Sequence, residues 1–540
     1  MKDISSTGSF INFYLNNYIY VDKTQYIRDL IKLERVFISR PRRFGKSLTL
    51  DTIATLFETG VEPYFKGTWI YDKWTEPTYP VLRLNFLDLD KYSLEHFKQK
   101  LNSIITAFAQ DINLKGYKEK VEPEDTIYFL LDELRKEKRQ IVILIDEYDC
   151  QMTANINNET LYKQFQEKIK SFYANIKNKW PIKFLGITGV TRLKDVEIFS
   201  IGSDIRDITN ASAYSQMIGF TRDEIKKYYI DYLTLAASYE NNCSVDKVTD
   251  AQIESMLDMM AQNYDGYCFD EFYKKKVFST WSVNSFFQSI IENKFVYFDE
   301  YWYDNGGLPS ILVNYLKTHE LNIFEYLDKD KFLKVSSDDF KNPTALTTIN
   351  QNVLMCQTGY LTLRSDLNKT STVALGIPNG EIYKALNRLL ANNIFKGNTD
   401  ITDDYGRSLL EVGTVDDIIN LFNSALNSVS YDNYPIVSES SVQNMLKLYL
   451  LGAHQEVLSE VHEAKGRADL VVNTDNKRIV FEFKYAKNET EAKSKLSEAV
   501  EQIKSRDYGN ILPKKNELLR IAAVFNADPK VRAFTEYQEV

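Results

Sequence analysis

Between an apolar run and a helical pattern stand Arg40-Pro41-Arg42-Arg43-Phe44-Gly45-Lys46-Ser47. A glycine, a lysine and a hydroxyl at a strand-to-helix junction can cradle phosphates. Backbone N–H groups at the helix start face the anion, the lysine reaches the terminal phosphates, and the serine ligates magnesium. Gly45, Lys46 and Ser47 fit these parts, and Arg40, Arg42, Arg43 and Phe44 are the other loop residues expected at the nucleotide. Arg40 stands where the usual motif has its first glycine. One hundred residues after Lys46, the run IVILI (141–145) ends in Asp146-Glu147. Two carboxylates at the C-terminal end of a buried strand can hold magnesium through water (Asp146) and polarise an attacking water (Glu147). Taken alone, GKS reads as a helix cap and Asp-Glu as a strand end. Their order, strand–GKS–helix and then an apolar strand ending in acid, is what points to ATP. A third run ends in Thr188-Gly189-Val190-Thr191-Arg192. Thr188 is a candidate to bond the attacking water. Arg192, Arg42 or Arg43 would place charge on the γ-phosphate, with a solvated or ion-paired side chain the competing role for each.

A second cluster lies near the C-terminus, in GRADLVV and VFEFK. A turn at Thr474-Asp475-Asn476 would make these two strands a hairpin, with Asp469 beside Glu482. The period of two puts Glu482 and Lys484 on one face, and Phe481 and Phe483 on the other. Close carboxylates repel unless a cation sits between them, which suits Mg²⁺, or Mn²⁺ in its place. Lys484 beside that ion would orient a water for attack on a phosphodiester. Glu460 is a third carboxylate candidate, with Glu456 and Glu463 as competitors, and Gln502 and Tyr508 are placed to face the same site.

The elements that must hold these residues are legible as apolar runs and helical periods. Strands are expected at 36–39, 81–86, 141–145 and 182–187, with helices at 46–58, 93–112, 125–138 and 158–179. That alternation predicts an α/β fold with a doubly wound, mostly parallel sheet. Residues 220–330 read as helical and aromatic, and 330–435 as mixed. Near 440 the order becomes a helix (442–452), strands (456–462, 468–472, 479–485), a helix (489–507) and a strand (519–525). The expected division is 1–215 for the nucleotide domain, 216–330 for a helical lid, 331–435 for a linking region and 436–540 for a second α/β domain.

The 540 residues carry 66 Lys and Arg against 75 Asp and Glu, a net charge of -9, which excludes a whole-molecule basic footprint for nucleic acid. Residues 441–540 alone are net +1, mildly basic once metal-binding acids are set aside. Four scattered cysteines and four histidines argue against a disulfide framework and a histidine-rich metal centre. Without a long apolar run or a signal-peptide pattern, the expectation is a soluble, cytoplasmic protein not associated with a membrane.

Together YVDKT (20–24), RPRRFGKSL (40–48), LIDEYD (144–149), TGVTR (188–192), YDGYCF (264–269), QTGYLT (357–362), LGIPN (375–379), GRADL (466–470) and FEFK (481–484) resemble a bacterial family. Its members join an AAA-ATPase-like domain to a C-terminal PD-(D/E)XK nuclease-superfamily domain. The resemblance implies a P-loop NTPase sheet, a helical lid and a restriction-endonuclease-like α/β domain. It implies a nucleotide site at Lys46, Ser47, Asp146 and Glu147, with Tyr20 or Asp22 near the base. It also implies a nuclease constellation of Glu460, Asp469, Glu482, Lys484 and Gln502. The form RPRRFGKS, without the first glycine, is usual in that family. The segment FSIGSDI (199–205) departs from it, since asparagines are expected near Ser203 and Asp204. The leading reading is an ATP-dependent or ATP-gated metal nuclease acting on nucleic acid, DNA ahead of RNA, in defence against foreign DNA or in mobile-element biology. A homo-oligomer would be needed for an arginine finger in trans. The alternative is a regulatory switch ATPase whose C-terminal domain binds nucleic acid or a partner without cutting.

Overall fold

A computed structural model describes residues 1–177, 179–193, 204–302, 310–316, 323–343, 345–395, 408–453, 455–463, 466–510 and 517–540. The chain forms two compact units, Met1–His319 with Phe332–Ile382, and Glu320–Lys331 with Tyr383–Val540.

In the first unit a five-stranded parallel sheet has the order β2-β3-β4-β1-β5. Its strands are β1 (Arg35–Ser39), β2 (Val81–Asn85), β3 (Ile141–Asp146), β4 (Ile182–Gly189) and β5 (Arg206–Asp207). β3 is buried at every position, as a central strand covered by helices on both faces must be, which is why residues 141–145 are an unbroken apolar run. Helices Leu94–Asp111, Pro123–Lys136 and Glu159–Ile176 supply the crossovers, and Lys46–Thr59 follows β1 directly. Ser93 and Asn158 cap two of them through their side chains. The α/β architecture is the one the sequence predicts, with boundaries shifted by one to three residues. The two-residue β5 is not foreseen, being too short to show a period.

Helices Ile230–Glu240, Asp250–Tyr264 and Thr280–Asn293 share an aromatic core in which Tyr229 and Phe287 stack at 5.2 Å. Ile19 and Val21 from the N-terminal segment are buried in the same cluster. A small sheet, β6 (Leu333–Ser336), β7 (Thr362–Leu363) and β8 (Thr372–Gly376), also belongs to this unit. Thr362 Oγ1 accepts from the Cys268 N–H at 2.8 Å, and Leu367 donates to the Glu271 carbonyl at 2.8 Å. These bonds tie 332–382 to the helical region. The compact-unit boundary therefore falls inside the expected 331–435 segment rather than at its ends.

The second unit is built on a sheet of order β13-β12-β11-β10-β9. β9 (Glu456–Glu463), β10 (Gly466–Asn473) and β11 (Lys477–Ala486) form an antiparallel meander. Helix Glu489–Arg506 then crosses over to β12 (Glu517–Asn526), parallel to β11, and β13 (Ala533–Glu539) closes the edge. The hairpin turns at the expected place, with Thr474 donating to the Lys477 carbonyl at 2.9 Å. Phe481 and Phe483 stack on each other at 5.6 Å, and they pack against Phe422 of helix Val415–Asn427 and Phe534 of β13, respectively. Residues 415–427 belong to this unit for that reason. No helix among the described residues is long and apolar enough to cross a membrane.

Candidate active sites

β1 ends at Ser39, and the loop 40–45 turns into helix Lys46–Thr59 through Gly45, at φ +100°. That left-handed backbone suits glycine. Arg43 adopts it too, at φ +69°, as does Glu147, at φ +52°. Non-glycine residues held there mark places where the surrounding structure fixes the backbone. Lys46 is buried; its ammonium donates to the Arg40 and Pro41 carbonyls at 3.0 and 3.2 Å and lies 3.5 Å from Glu147 Oε1. Ser47 donates to Asp146 Oδ2 at 2.6 Å, and Thr188 donates to the other Asp146 oxygen. The sheet order explains this meeting, because β4 lies between β1 and β3 and carries Thr188 to the midpoint. Burial pushes the Glu147 carboxyl above its ordinary range, against the opposing pull of Lys46.

Beside this loop opens a cavity of about 500 Å³. Its walls include Arg42, Arg43, Lys46, Ser47 and Glu147, together with Phe13, Tyr20, Ile27, Phe220 and Trp281 and several polar side chains such as Lys23 and Asn284. Charged groups beside aromatic ones are what a nucleotide asks of a site. Arg43 lies over the Trp281 ring at 4.1 Å, and Thr280 donates to the Arg43 carbonyl at 2.9 Å. The N-terminal segment contributes Ser5 to Gly8 to the wall, fastened by Asn284 donating to the Ser5 carbonyl at 3.3 Å.

Two arginines expected at the nucleotide stand elsewhere. Arg40 is buried, donates to the Ser39 and Thr209 carbonyls at 2.9 and 2.6 Å, and lies 4.1 Å over the Phe269 ring. Only its carbonyl serves the loop, through Lys46. Arg192 pairs with Asp207 and does not line the cavity. Phe44 turns its ring onto Tyr267 and Phe269, at 4.7 and 5.6 Å. Tyr20 lines the cavity, whereas Asp22 accepts from the Thr24 and Trp69 N–H groups and does not. Ser203 lies outside the described residues; Asp204 pairs with Arg35 at 2.8 Å.

In the second unit Leu470 pairs with Phe481, so Asp469 falls opposite Glu482 as the hairpin opens. Asp469 Oδ2 accepts the Phe483 N–H at 2.8 Å. Glu482 is fully buried; its Oε1 accepts from Lys484 Nζ at 2.8 Å, and its Oε2 has no hydrogen-bond partner among the described residues. Burial raises the Asp469 carboxyl to about 6. Burial and then the neighbouring Asp469 raise Glu482 to about 7. Burial alone would lower the Lys484 ammonium, but Glu482 overrides it and holds the pKa above the usual value. An orphaned carboxylate oxygen and two carboxyls pushed upward are what a bound cation would satisfy, so the residues fit a divalent metal. Among the described residues no group of three His, Cys, Asp or Glu side chains is gathered at such a site.

Register places Glu460 opposite Asp469, between the pairs Ala468–Val461 and Leu470–Ser459; its side chain, like that of Glu463, lies outside the described residues. Glu456 faces Asn473, at the far end of β10. Gln502 donates to the Tyr508 hydroxyl at 3.3 Å, which also accepts from Arg506 at 3.0 Å, so that trio forms its own cluster against Gly466. Glu439 and Gln443 stand nearer the acids and carry no sequence motif. Glu439, in the first turn of helix Glu439–Gly452, lies 3.4 Å from Lys484 Nζ, and Gln443 hydrogen-bonds Asp469. An acid four residues before an amide at a helix start is too common to single them out.

Residues 5–199 match the family described as Predicted AAA-ATPase, and residues 437–534 match the PD-(D/E)XK nuclease superfamily. The chain joins an AAA-ATPase domain to a PD-(D/E)XK nuclease-superfamily domain. The nuclease-superfamily match covers the helix Glu439–Gly452 and strands β9 to β12 in full, so Glu439 and the carboxylate pair lie within it. A protein of Azotobacter chroococcum mcd 1, described as "Uncharacterized protein in vnfD 5'region", is 25% identical over 532 residues, covering 95% of this chain and 94% of that one. The crystal structure of Cdc6p from Pyrobaculum aerophilum aligns with 68% of this chain and 92% of its own, at 11% identity and a TM-score of 0.22.

Proposed function

We propose that the chain is an ATP-gated, metal-dependent nuclease, with DNA ahead of RNA as substrate. The observation that carries the reading is the buried Asp469–Glu482 pair with Lys484 on the next inward position of the same strand. Asp469 and Glu482 would hold Mg²⁺ or Mn²⁺, which when bound polarises a phosphodiester and stabilises the charge that develops on it. Lys484, anchored by Glu482 and Glu439, holds a positive charge where a water and a phosphate oxygen would meet.

In the ATPase domain Lys46 lies where the terminal phosphates would sit, and Ser47 with Asp146 would hold the magnesium of the nucleotide, whose charge neutralises the phosphates. Glu147, raised by burial and 3.5 Å from Lys46, suits the orientation and deprotonation of the attacking water. Arg42 and Arg43 line the same cavity and would meet the γ-phosphate. A role against foreign DNA or mobile elements is consistent with such a nuclease.

The test is cleavage of supercoiled and single-stranded DNA with Mg²⁺ or Mn²⁺, with and without ATP, by wild type, Lys46→Ala and Asp469→Asn. Cleavage that needs ATP and is lost in both variants supports the reading. ATP turnover with every nucleic acid left intact would overturn it in favour of a regulatory switch ATPase that binds without cutting.

A further inference from the structure

Arg40 poses a problem that the nucleotide site does not solve. Its guanidinium is 1% exposed, and only Nη1 has hydrogen-bond partners, the Ser39 and Thr209 carbonyls. Nε and Nη2 are buried and without hydrogen-bond partners among the described residues. One face of the group lies on the Phe269 ring. The carboxylate acting on it, Asp207, is already paired with Arg192, so among the described residues two cations share one anion. Burial accordingly lowers the Arg40 pKa to about 9. A buried cation left one charge short is costly, and water can satisfy its N–H groups but not its charge.

Next to this group is a cavity of about 40 Å³, lined by Arg40, Arg192, Thr209, Asn210, Phe269 and Gln357 among others. It lies on a different set of residues from the nucleotide cavity. A space of that size takes a few water molecules at most, which admits a halide. Its walls are largely apolar, with Pro41, Phe340 and Leu363 beside Phe269, and its cationic groups are the two guanidiniums, Gln357 being held by the Arg192 backbone. Anything seated here bears on the nucleotide loop through two lining residues, because the Arg40 and Pro41 carbonyls both accept from Lys46 Nζ.

We propose that this cavity binds a halide-sized monovalent anion, with chloride its ordinary occupant, as the counterion of Arg40. The anion completes a structural support behind the phosphate loop and takes no part in the chemistry.

The test uses the full chain. Crystals soaked in sodium bromide are examined for anomalous scattering, and Tm is measured in sodium chloride against sodium gluconate at equal ionic strength. The expected results are a bromide peak against the Arg40 guanidinium and a Tm about 1–3 °C higher in chloride, a difference absent in Arg40→Met. Water or empty density at the cavity overturns the proposal. So does a bromide peak with no chloride-dependent Tm, which marks binding at crystal concentration only. So does a chloride effect that Arg40→Met retains in full. Should Arg40→Met fail to fold, the bromide peak and the wild-type Tm comparison still decide.

Discussion

The Phe483 N–H donates to Asp469 Oδ2, so the first carboxylate of the nuclease pair is fastened to the strand that carries the second. Asp469 on β10 cannot shift without releasing a backbone group on β11. This fixes the separation of the two acids independently of any metal.

The carboxylate pair makes the metal-free protein sensitive to pH. Both carboxyls titrate higher in the folded chain than in the unfolded one, Asp469 at about 6 and Glu482 at about 7. Between the ordinary carboxylate range and pH 7 the folded state therefore holds more protons, and stability falls as pH rises. Urea unfolding in EDTA should show wild type losing on the order of 2–3 kcal/mol between pH 4.5 and 8 relative to the Asp469→Asn, Glu482→Gln double variant.

Metal affinity should run the other way. A cation must displace the shared protons, so Mn²⁺ binding, followed by calorimetry, should tighten at least tenfold from pH 5.5 to 7.5 in wild type. An affinity flat across that window would mean that these two acids do not hold the ion.

Glu147 and Lys46 should separate binding from turnover. Lys46→Ala is expected to lose ATP binding, measured with a fluorescent nucleotide. Glu147→Gln should bind ATP within a few-fold of wild type and hydrolyse it about 10²–10³-fold more slowly. Equal turnover by Glu147→Gln would remove that residue from the chemistry.

Glu439 offers a sharper test of the nuclease site, because no motif marks it. Glu439→Gln removes one of the two carboxylates around Lys484 while leaving the metal pair intact. DNA cleavage should drop roughly tenfold with Mn²⁺ affinity nearly unchanged.

Packing behind the Asp-Glu strand end is close. A Cβ on Gly189 would stand 2.6 Å from Tyr148 Cε1 and 2.8 Å from Asp149 Oδ1. Gly189→Ala should therefore cost about 1–3 kcal/mol of stability, read as a lowered unfolding midpoint, with the cavity residues themselves unaltered.

What the sequence shows of this molecule follows from the range of the forces involved. IVILI and VFEFK announce themselves because burial on both faces, or on alternate ones, writes a period into a few neighbouring residues. β13, with alternating polar and aromatic residues at an edge, and the short strands β5 to β8 carry too little pattern to be seen. The same limit separates the site residues. Gly45, Lys46 and Ser47 owe their places to the local turn. The direction of Arg40, in contrast, is decided by the Thr209 carbonyl and the Phe269 ring, more than 160 residues away. Gln502 is likewise settled by Tyr508, whose position depends on the tertiary packing beneath it.

Strand β1, complete by Ser39, finds its neighbours only at residues 185–189 and 206–207, and the cavity beside it is walled as late as Trp281 and Asn284. During synthesis the phosphate loop thus emerges long before anything exists to hold it. At ~5–20 residues per second the interval from residue 39 to residue 284 lasts roughly 10–50 s. A nucleotide bound there would therefore be a late ligand, able to secure a finished domain but not to guide the nascent chain.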